Sequence, residues 1–278
     1  MSSLVINSNL SALGAYNNLN QTDQAMAKAI SELSSGLQIQ TAADNPAGYV
    51  VSQALQSQAD GYQTAIANAQ SGVSLIQTAS GALNQISSIL QTMNSLALNS
   101  ANGATTTGSA QAANEQEFLA LQNQIDQIAN TTSFGSTPLL NGTFSNQVLQ
   151  VGSANSPNQQ LALNIATANS SALGVASTTV SVGTTASAQA AITAVNTAIT
   201  NVATEEASVG ATQNQLQAIV ANLTVGQQNL QAAYAGLVDV NFAQETTQFT
   251  TDQILMQSGV AMLSQAQQTP SLVLKLLQ

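Results

Sequence analysis

The sequence predicts a mainly α protein: long antiparallel helices forming a coiled-coil core, a small β-hairpin region, and terminal helices paired as an inner helical coiled coil. Three observations predict it. Pro occurs only at 46, 138, 157 and 270, which leaves two long Pro-free stretches. Apolar residues recur through both at intervals of three and four, the spacing of a heptad seam. Between them lies a segment rich in Thr, Ser, Asn and Gly that carries no helical period.

Each element has its own signal. Near the start, Leu10, Leu13, Tyr16 and Leu19 share one face, followed by Met26, Ile30 and Leu33. Asn45-Pro46 reads as an N-cap with Pro at the first helical position. From Leu55, the positions Ala59, Tyr62, Ile66, Ala69, Val73, Ile76, Ser80, Leu83, Ser87, Leu90, Asn94 and Ala97 alternate by four and three. Asn102-Gly103 is expected to end this helix, with Gly taking the left-handed conformation. Gly61, Gly72 and Gly81 lie inside it, each at a cost of up to about 1 kcal/mol relative to Ala. Close approach of a neighbouring helix would account for them.

A shorter helix follows, with Phe118, Leu121, Ile125 and Ile128 on one face. Residues 131–187 read as a small β-rich insert. Asn141-Gly142, flanked by Leu139, Leu140 and Phe144, carries the signal of a tight hairpin, and Val148 and Leu161 to Ile165 alternate as short strands do. Helix resumes near Ser187. Ile192, Val195, Ile199, Val202, Glu206, Val209, Gln213, Leu216, Val220, Leu223, Gln227, Leu230, Tyr234 and Leu237 form a second seam of roughly 70 Å, able to return alongside the first. The three polar members either fix register or lie near solvent. Towards the end, Val238, Phe242, Phe249, Met256, Val260 and Leu263 line one face, with Phe242, Phe249, Met256 and Leu263 each seven apart. An isolated terminal helix is marginal in water. The two ends are therefore expected to pair with each other and with copies of the same chain. The expected organisation is an inner terminal domain of 1–44 plus 238–278, and a helical core domain of 45–187 plus 188–237.

Composition narrows the function. There is no His, Cys, Trp or Arg, and Lys28 and Lys275 are the only bases against 12 acids, for a net charge of −10. Nucleic acid is excluded because nothing neutralises phosphates, and an anionic membrane surface is disfavoured. Charged residues make up 5%, against roughly 25% in ordinary soluble domains. Ser and Thr are plentiful, but no base stands ready to activate one. Metal sites need His, Cys or clustered acids. Glu205-Glu206, Glu115 and Glu117 read instead as solvated helix positions. No catalytic, metal or cofactor-binding residue is expected, and no cofactor. Residues 1–27 hold no base, so a signal peptide with a basic start is not expected, and no apolar run reaches the roughly 18 residues of a membrane span. With so few ion pairs to lose, the low charge reads as adaptation to acid, or else as a surface tolerated by drift or masked by sugars.

The residues that remain carry a resemblance. Ile6-Asn7-Ser8-Asn9, Leu33-Ser34-Ser35-Gly36-Leu37, Asp44-Asn45-Pro46-Ala47-Gly48 and the run from Asn68 through Leu83 stand at the N-terminal end. Val238-Asp239-Val240-Asn241-Phe242-Ala243, Gln253-Ile254-Leu255-Met256-Gln257 and Leu263-Ser264-Gln265-Ala266 stand at the C-terminal end. In this order they resemble the bacterial flagellins, in a short form with a minimal outer domain, over residues 3–145 and 188–278. The resemblance implies a secreted structural subunit that polymerises into the extracellular flagellar filament for swimming. It implies unfolded export through the flagellar type III apparatus without a cleaved signal. It also implies three kinds of partner beside identical subunits: an export chaperone on roughly 238–277, a filament cap, and hook–filament junction proteins. The chain departs from the family at Gln38 and Leu121, where flagellins usually carry Arg, and at Thr92-Met93-Asn94-Ser95-Leu96, where they carry an Arg-containing run. Recognition by an innate immune receptor is therefore expected to be weak. A hook–filament junction protein shares similar termini and is the nearest alternative. A surface adhesin fibre would call for a secretory signal and a terminal binding domain.

Overall fold

A computed structural model describes residues 9–276. It contains five long helices: α1 (Leu10–Ser35), α2 (Pro46–Ala101), α3 (Gly108–Thr131), α4 (Thr185–Val238) and α5 (Phe242–Leu276). Four short strands lie between α3 and α4: β1 (Ser133–Phe134), β2 (Thr137–Pro138), β3 (Gln147–Gln150) and β4 (Gln160–Leu163). The chain divides into two compact units, residues 1–57 with 229–278, and residues 58–228.

The first unit joins the two ends of the chain. Asn9 caps α1 by accepting the Ala12 N–H, and Gly36 ends it in the left-handed conformation at φ 76°. Asn45 caps α2 by accepting the Gly48 N–H at 2.9 Å, with Pro46 at the first helical position. α1 and α5 pack together. They run antiparallel, since Asn9 Nδ2 donates to the Ala266 carbonyl at 2.7 Å while Leu37, at the other end of α1, bridges Asp239. There the Gln38 N–H donates to the Val238 carbonyl and the Val240 N–H to the Gly36 carbonyl.

The second unit is a helical core with a small β part. Its largest fully buried side chains are Phe118, Ile76, Leu83, Ile86, Leu90 and Met93, followed by Ile125, Leu139, Leu140 and Leu216. At about 1.5–3 kcal/mol for each large apolar side chain removed from water, this cluster dominates the unit's stability. From Ile66 onward, the α2 seam lies one residue earlier than the four-three spacing suggests at every second position. Ala69, Ile76, Leu83, Leu90 and Ala97 are buried, and so are Gly72, Ala79, Ile86, Met93 and Ser100, whereas Val73, Ser80, Ser87 and Asn94 flank the stripe, half-buried. α4 behaves likewise at its start, burying Ala191 and Ala198 and leaving Ile192 and Ile199 half-buried beside them. Small residues at the contact let helices approach closely, and the larger neighbours then cover the edges.

The glycines show the same logic. A Cβ at Gly72 would sit 2.6 Å from Leu149 Cδ2 and 3.3 Å from Leu216 Cδ1, so β3 and α4 both press on that point. At Gly61 the neighbour is not a helix but Ser153, in the loop after β3. Gly81 has nothing within 4 Å, so close approach does not account for it. Gly103 is not left-handed. It follows the end of α2 because a Cβ there would meet Thr185 Oγ1 at 2.9 Å.

The tight hairpin also differs from expectation. It is β1–β2, pairing Ser133 with Pro138 and Phe134 with Thr137 across Gly135-Ser136, with Gly135 at φ 61°. Gly at the first central position is the type II′ signature. Asn141-Gly142 does turn the chain, with Gly142 at φ 93° and the Thr143 N–H donating to Asn141 Oδ1. However, its flanks Leu139, Leu140 and Phe144 are buried in the core instead of pairing as strands. β3 and β4 pair antiparallel from Gln147↔Leu163 to Gln150↔Gln160.

Carboxylates fasten the 166–182 segment to the helices. Asp126 accepts the Ser170 N–H and hydroxyl, both at 2.8 Å, and Glu205 accepts the Ala166 N–H at 2.9 Å. Glu115 accepts the Ser181 hydroxyl and the Val182 N–H. Glu115, Glu205 and Glu206 are therefore half-buried, not solvated helix positions, while Glu117 is exposed. Glu206 Oε1 is shielded from solvent without a hydrogen bond among the described residues. Gln213 and Gln227, the other polar members of the α4 seam, are half-buried.

Candidate assembly surface

In the first unit, one face of each terminal helix closes on the other. Leu19, Met26 and Leu33 of α1 are half-buried together with Ala12, Ala15, Thr22 and the buried Ala29. Phe249, Met256 and Leu263 of α5 are half-buried with Glu245, Gly259 and Ala266. With the buried Asp252 between Phe249 and Met256, both sets advance by three and four. At Gly259 a Cβ would lie 3.1 Å from Leu19 Cδ1.

The other expected seam residues face outward. Leu10 is 78% exposed, Leu13 54%, Ile30 49%, Phe242 56% and Val260 53%. Tyr16, Ile254, Leu255 and Met262 are exposed as well. The last three escape a single-stripe reading of α5. The adjacent pair Ile254-Leu255 was the available signal, because a single seam uses only one residue of such a pair. Unlike isolated surface apolar residues, which are ordinary, these recur along both helices.

In the second unit, Ile76, Leu83, Leu90, Val202, Val209, Leu216 and Leu223 are buried, and Tyr62, Ile66, Val73 and Ile199 are half-buried on the flank. Leu230, half-buried, falls in the first unit.

The electrostatics of the first unit centre on Lys28. Its Nζ lies 3.5 Å from Glu32 Oε1, a pair worth a few tenths of a kcal/mol. Glu32 and Asp252 are buried, and Gln248 Nε2 donates to both Asp252 oxygens. Burial raises the pKa of Glu245, as do the charges of Glu32 and Asp252, against the opposing effect of Lys28. Asp44 moves the other way, lowered chiefly by the Thr41 N–H and hydroxyl, then by the Gln40 N–H and Lys28.

The two shifts have opposite consequences. Asp44 supports the fold above its unfolded pKa, and that support is lost as pH falls through its folded value. Glu245 weakens the folded state when charged, and the penalty fades as pH falls through its raised value. Glu245→Gln is thus expected to slow amide exchange in α1 and α5 at pH 7 and to leave it unchanged at pH 3. Equal effects at both pH values would refute this assignment.

Among the described residues, no three acids converge as metal ligands, and no helix is long and apolar enough to cross a membrane. The arrangement offers side chains that pack.

Comparison with known proteins decides the family. The bacterial flagellin N-terminal helical region matches residues 6–145, and the C-terminal helical region matches residues 192–277. The chain belongs to the bacterial flagellin family. It is 39% identical over 274 residues to a flagellin of Halalkalibacterium halodurans, covering 99% of this chain and 100% of that one. It is 34% identical over 303 residues to a flagellin of Bacillus subtilis, covering 98% and 99%. Its fold is similar to a solved Vibrio parahaemolyticus structure provisionally assigned as a flagellar hook-associated protein. The TM-score there is 0.58 over 70% of this chain and 100% of that chain. At 14% identity that likeness speaks for the fold alone and does not favour the junction-protein alternative. This flagellin is a structural subunit of the flagellar filament, a helical polymer outside the cell.

Proposed function

We propose that the outward faces of α1 and α5 are the contacts through which copies of this flagellin pack together in the filament. One observation carries the reading: the two helices satisfy each other along a single seam and still leave large apolar side chains exposed along their length, from Leu10 and Leu13 to Leu255 and Met262. The rest of the reading follows from family membership. The subunit leaves the cell through the flagellar type III apparatus without a cleaved signal. A chaperone covers the C-terminal helix before export, and cap and hook–filament junction proteins contact the polymer at its ends. The subunit performs no catalysis.

Leu13→Ser with Leu255→Ser tests the surface. Both positions are more than half exposed in the single chain, so the doubly substituted protein keeps its fold. Each leucine buried at a contact contributes about 1.5–3 kcal/mol. The concentration needed for polymerisation is therefore expected to rise at least tenfold. Normal filaments at the parent concentration would remove these faces from the contact.

A further inference from the structure

Two Asn-Gly pairs occur in the chain, Asn102-Gly103 and Asn141-Gly142. They share a dipeptide and differ in what holds it. In such a pair the main-chain nitrogen can attack the preceding side-chain amide, because Gly carries no side chain to shield that nitrogen. The attack needs an Asn side chain free to swing over the next peptide and a backbone able to follow.

At Asn141 neither is free. Its Oδ1 accepts the Thr143 N–H at 3.0 Å and the Thr143 hydroxyl at 2.7 Å, so cyclisation must break both bonds. The backbone is anchored as well: Leu139, Leu140 and Phe144 are buried, and a Cβ at Gly142 would lie 2.5 Å from Thr167 Oγ1. Asn102 is the first residue beyond α2, and Asn102, Gly103 and Ala104 are all exposed. The Asn102 side-chain amide makes no hydrogen bond among the described residues. The Gly103 N–H is held by the Ala101 carbonyl alone, at 3.1 Å. The related pair Asp60-Gly61 lies within α2, where the helical ladder fixes the backbone.

We propose that Asn102-Gly103 is a site of spontaneous covalent modification in the folded protein, an exposed amide that converts with age to aspartate and isoaspartate while Asn141-Gly142 is preserved. The Gly103 nitrogen gives up its proton and bonds to Asn102 Cγ. The bond from Cγ to the side-chain nitrogen breaks, and that nitrogen leaves with the proton as ammonia. Water then opens the cyclic imide. Breaking the new bond leaves aspartate. Breaking the original peptide bond leaves the chain running through the side chain, as isoaspartate.

The site lies where three helices meet. Gln111 of α3 donates to the Ser100 carbonyl and to Thr185 Oγ1, and a Cβ at Gly103 would meet Thr185 Oγ1 at 2.9 Å. Each event adds one negative charge to a chain of net charge −10. In aspartate that charge lies near both the end of α2 and the start of α4, whose dipoles act on it in opposite senses. Isoaspartate is the disruptive product. It adds a carbon to the main chain beside Thr185, and it makes a carboxylate of the Asn102 carbonyl that accepts the Thr105 and Thr106 N–H groups.

Hydroxylamine opens such an imide as it forms and cuts the chain there. The native full-length chain is expected to yield fragments 1–102 and 103–278 at least tenfold faster than 1–141 and 142–278. In urea the two cuts should approach equal rates. A native chain cut no faster after Asn102 than after Asn141 would overturn the proposal. A preference that persists in urea would put its origin in the local sequence and overturn the structural argument. Asn102→Gln should remove the first pair of fragments and keep the second. Without hydroxylamine, ageing in warm, mildly alkaline buffer is expected to shift the parent by one charge toward acid on isoelectric focusing and to lower its Tm, and to leave Asn102→Gln unchanged in both. An equal acid shift in that variant would place the reaction elsewhere and defeat the assignment.

Discussion

A chain ending at residue 244 is expected to stay folded over residues 58–228 and to form no filaments. The cluster of buried residues runs from Ala69 to Leu216, so this truncation removes none of it. What disappears is α5, and with it the partner of Leu19, Met26 and Leu33. A lone helix of 26 residues with a half-open apolar stripe is marginal in water. Circular dichroism should show loss of helix beyond the deleted segment, together with a cooperative melt from the remaining unit. Electron microscopy should show no polymer at concentrations where the full chain assembles. Filaments of normal appearance would mean that the terminal helices do not carry assembly. Loss of the cooperative melt would mean that the second unit depends on them for its fold.

Phe118→Ala is expected to cost about 3–5 kcal/mol, the range for truncating a fully buried ring whose space does not refill. Phe118 is 0% exposed and belongs to the cluster that α2, α3 and α4 share. For a unit of this size each kcal/mol shifts Tm by roughly 2–4 °C, so a loss on the order of 10 °C is the readout, with the urea midpoint as a check. Phe134→Ala is the control. That ring is 37% exposed on the β1–β2 hairpin, and its removal should stay within about 1 kcal/mol. Similar losses from both variants would place the weight of the unit outside the α3 face.

The helices were legible because their ends are written locally. Asn45-Pro46 marks the start of α2, and the seven-residue spacing of Phe249, Met256 and Leu263 marks the buried stripe of α5. The phase of the α2 seam was not legible in the same way. A heptad can be divided three-four or four-three, and the decision rests on every second position. Those positions hold Gly72, Ala79 and Ser100, which are too small to announce themselves as core. Ile86 and Met93 were the residues able to settle it. The hairpin was misplaced because Asn-Gly specifies a turn and not the pairing of its flanks. Leu139, Leu140 and Phe144 gain more by entering the core. Division of the apolar stripe on α5 into inward and outward sets needed the partner helix, since only packing separates Met256 from Leu255. The roles of Asp126, Glu115 and Glu205 were invisible in the sequence, because each has a main-chain N–H partner, which every residue offers, and the hydroxyls of Ser170 and Ser181 are two among many in this chain.

The link between residues 36–38 and 238–240 has a consequence for how the ends respond to load. It is made from main-chain atoms, with Gln38 donating to Val238 and Val240 to Gly36. Replacement of the exposed Gln38 side chain by any residue but Pro leaves its bond intact, whereas Gly36 at φ 76° strains any side chain, so the joint tolerates drift at Gln38 and resists it at Gly36. It does not tolerate a change in length. One residue added between Gly36 and Gln38 shifts the donors out of step with both acceptors. Sliding of α1 along α5 meets the same obstacle, and torsion applied to one terminal helix therefore reaches the other at this point.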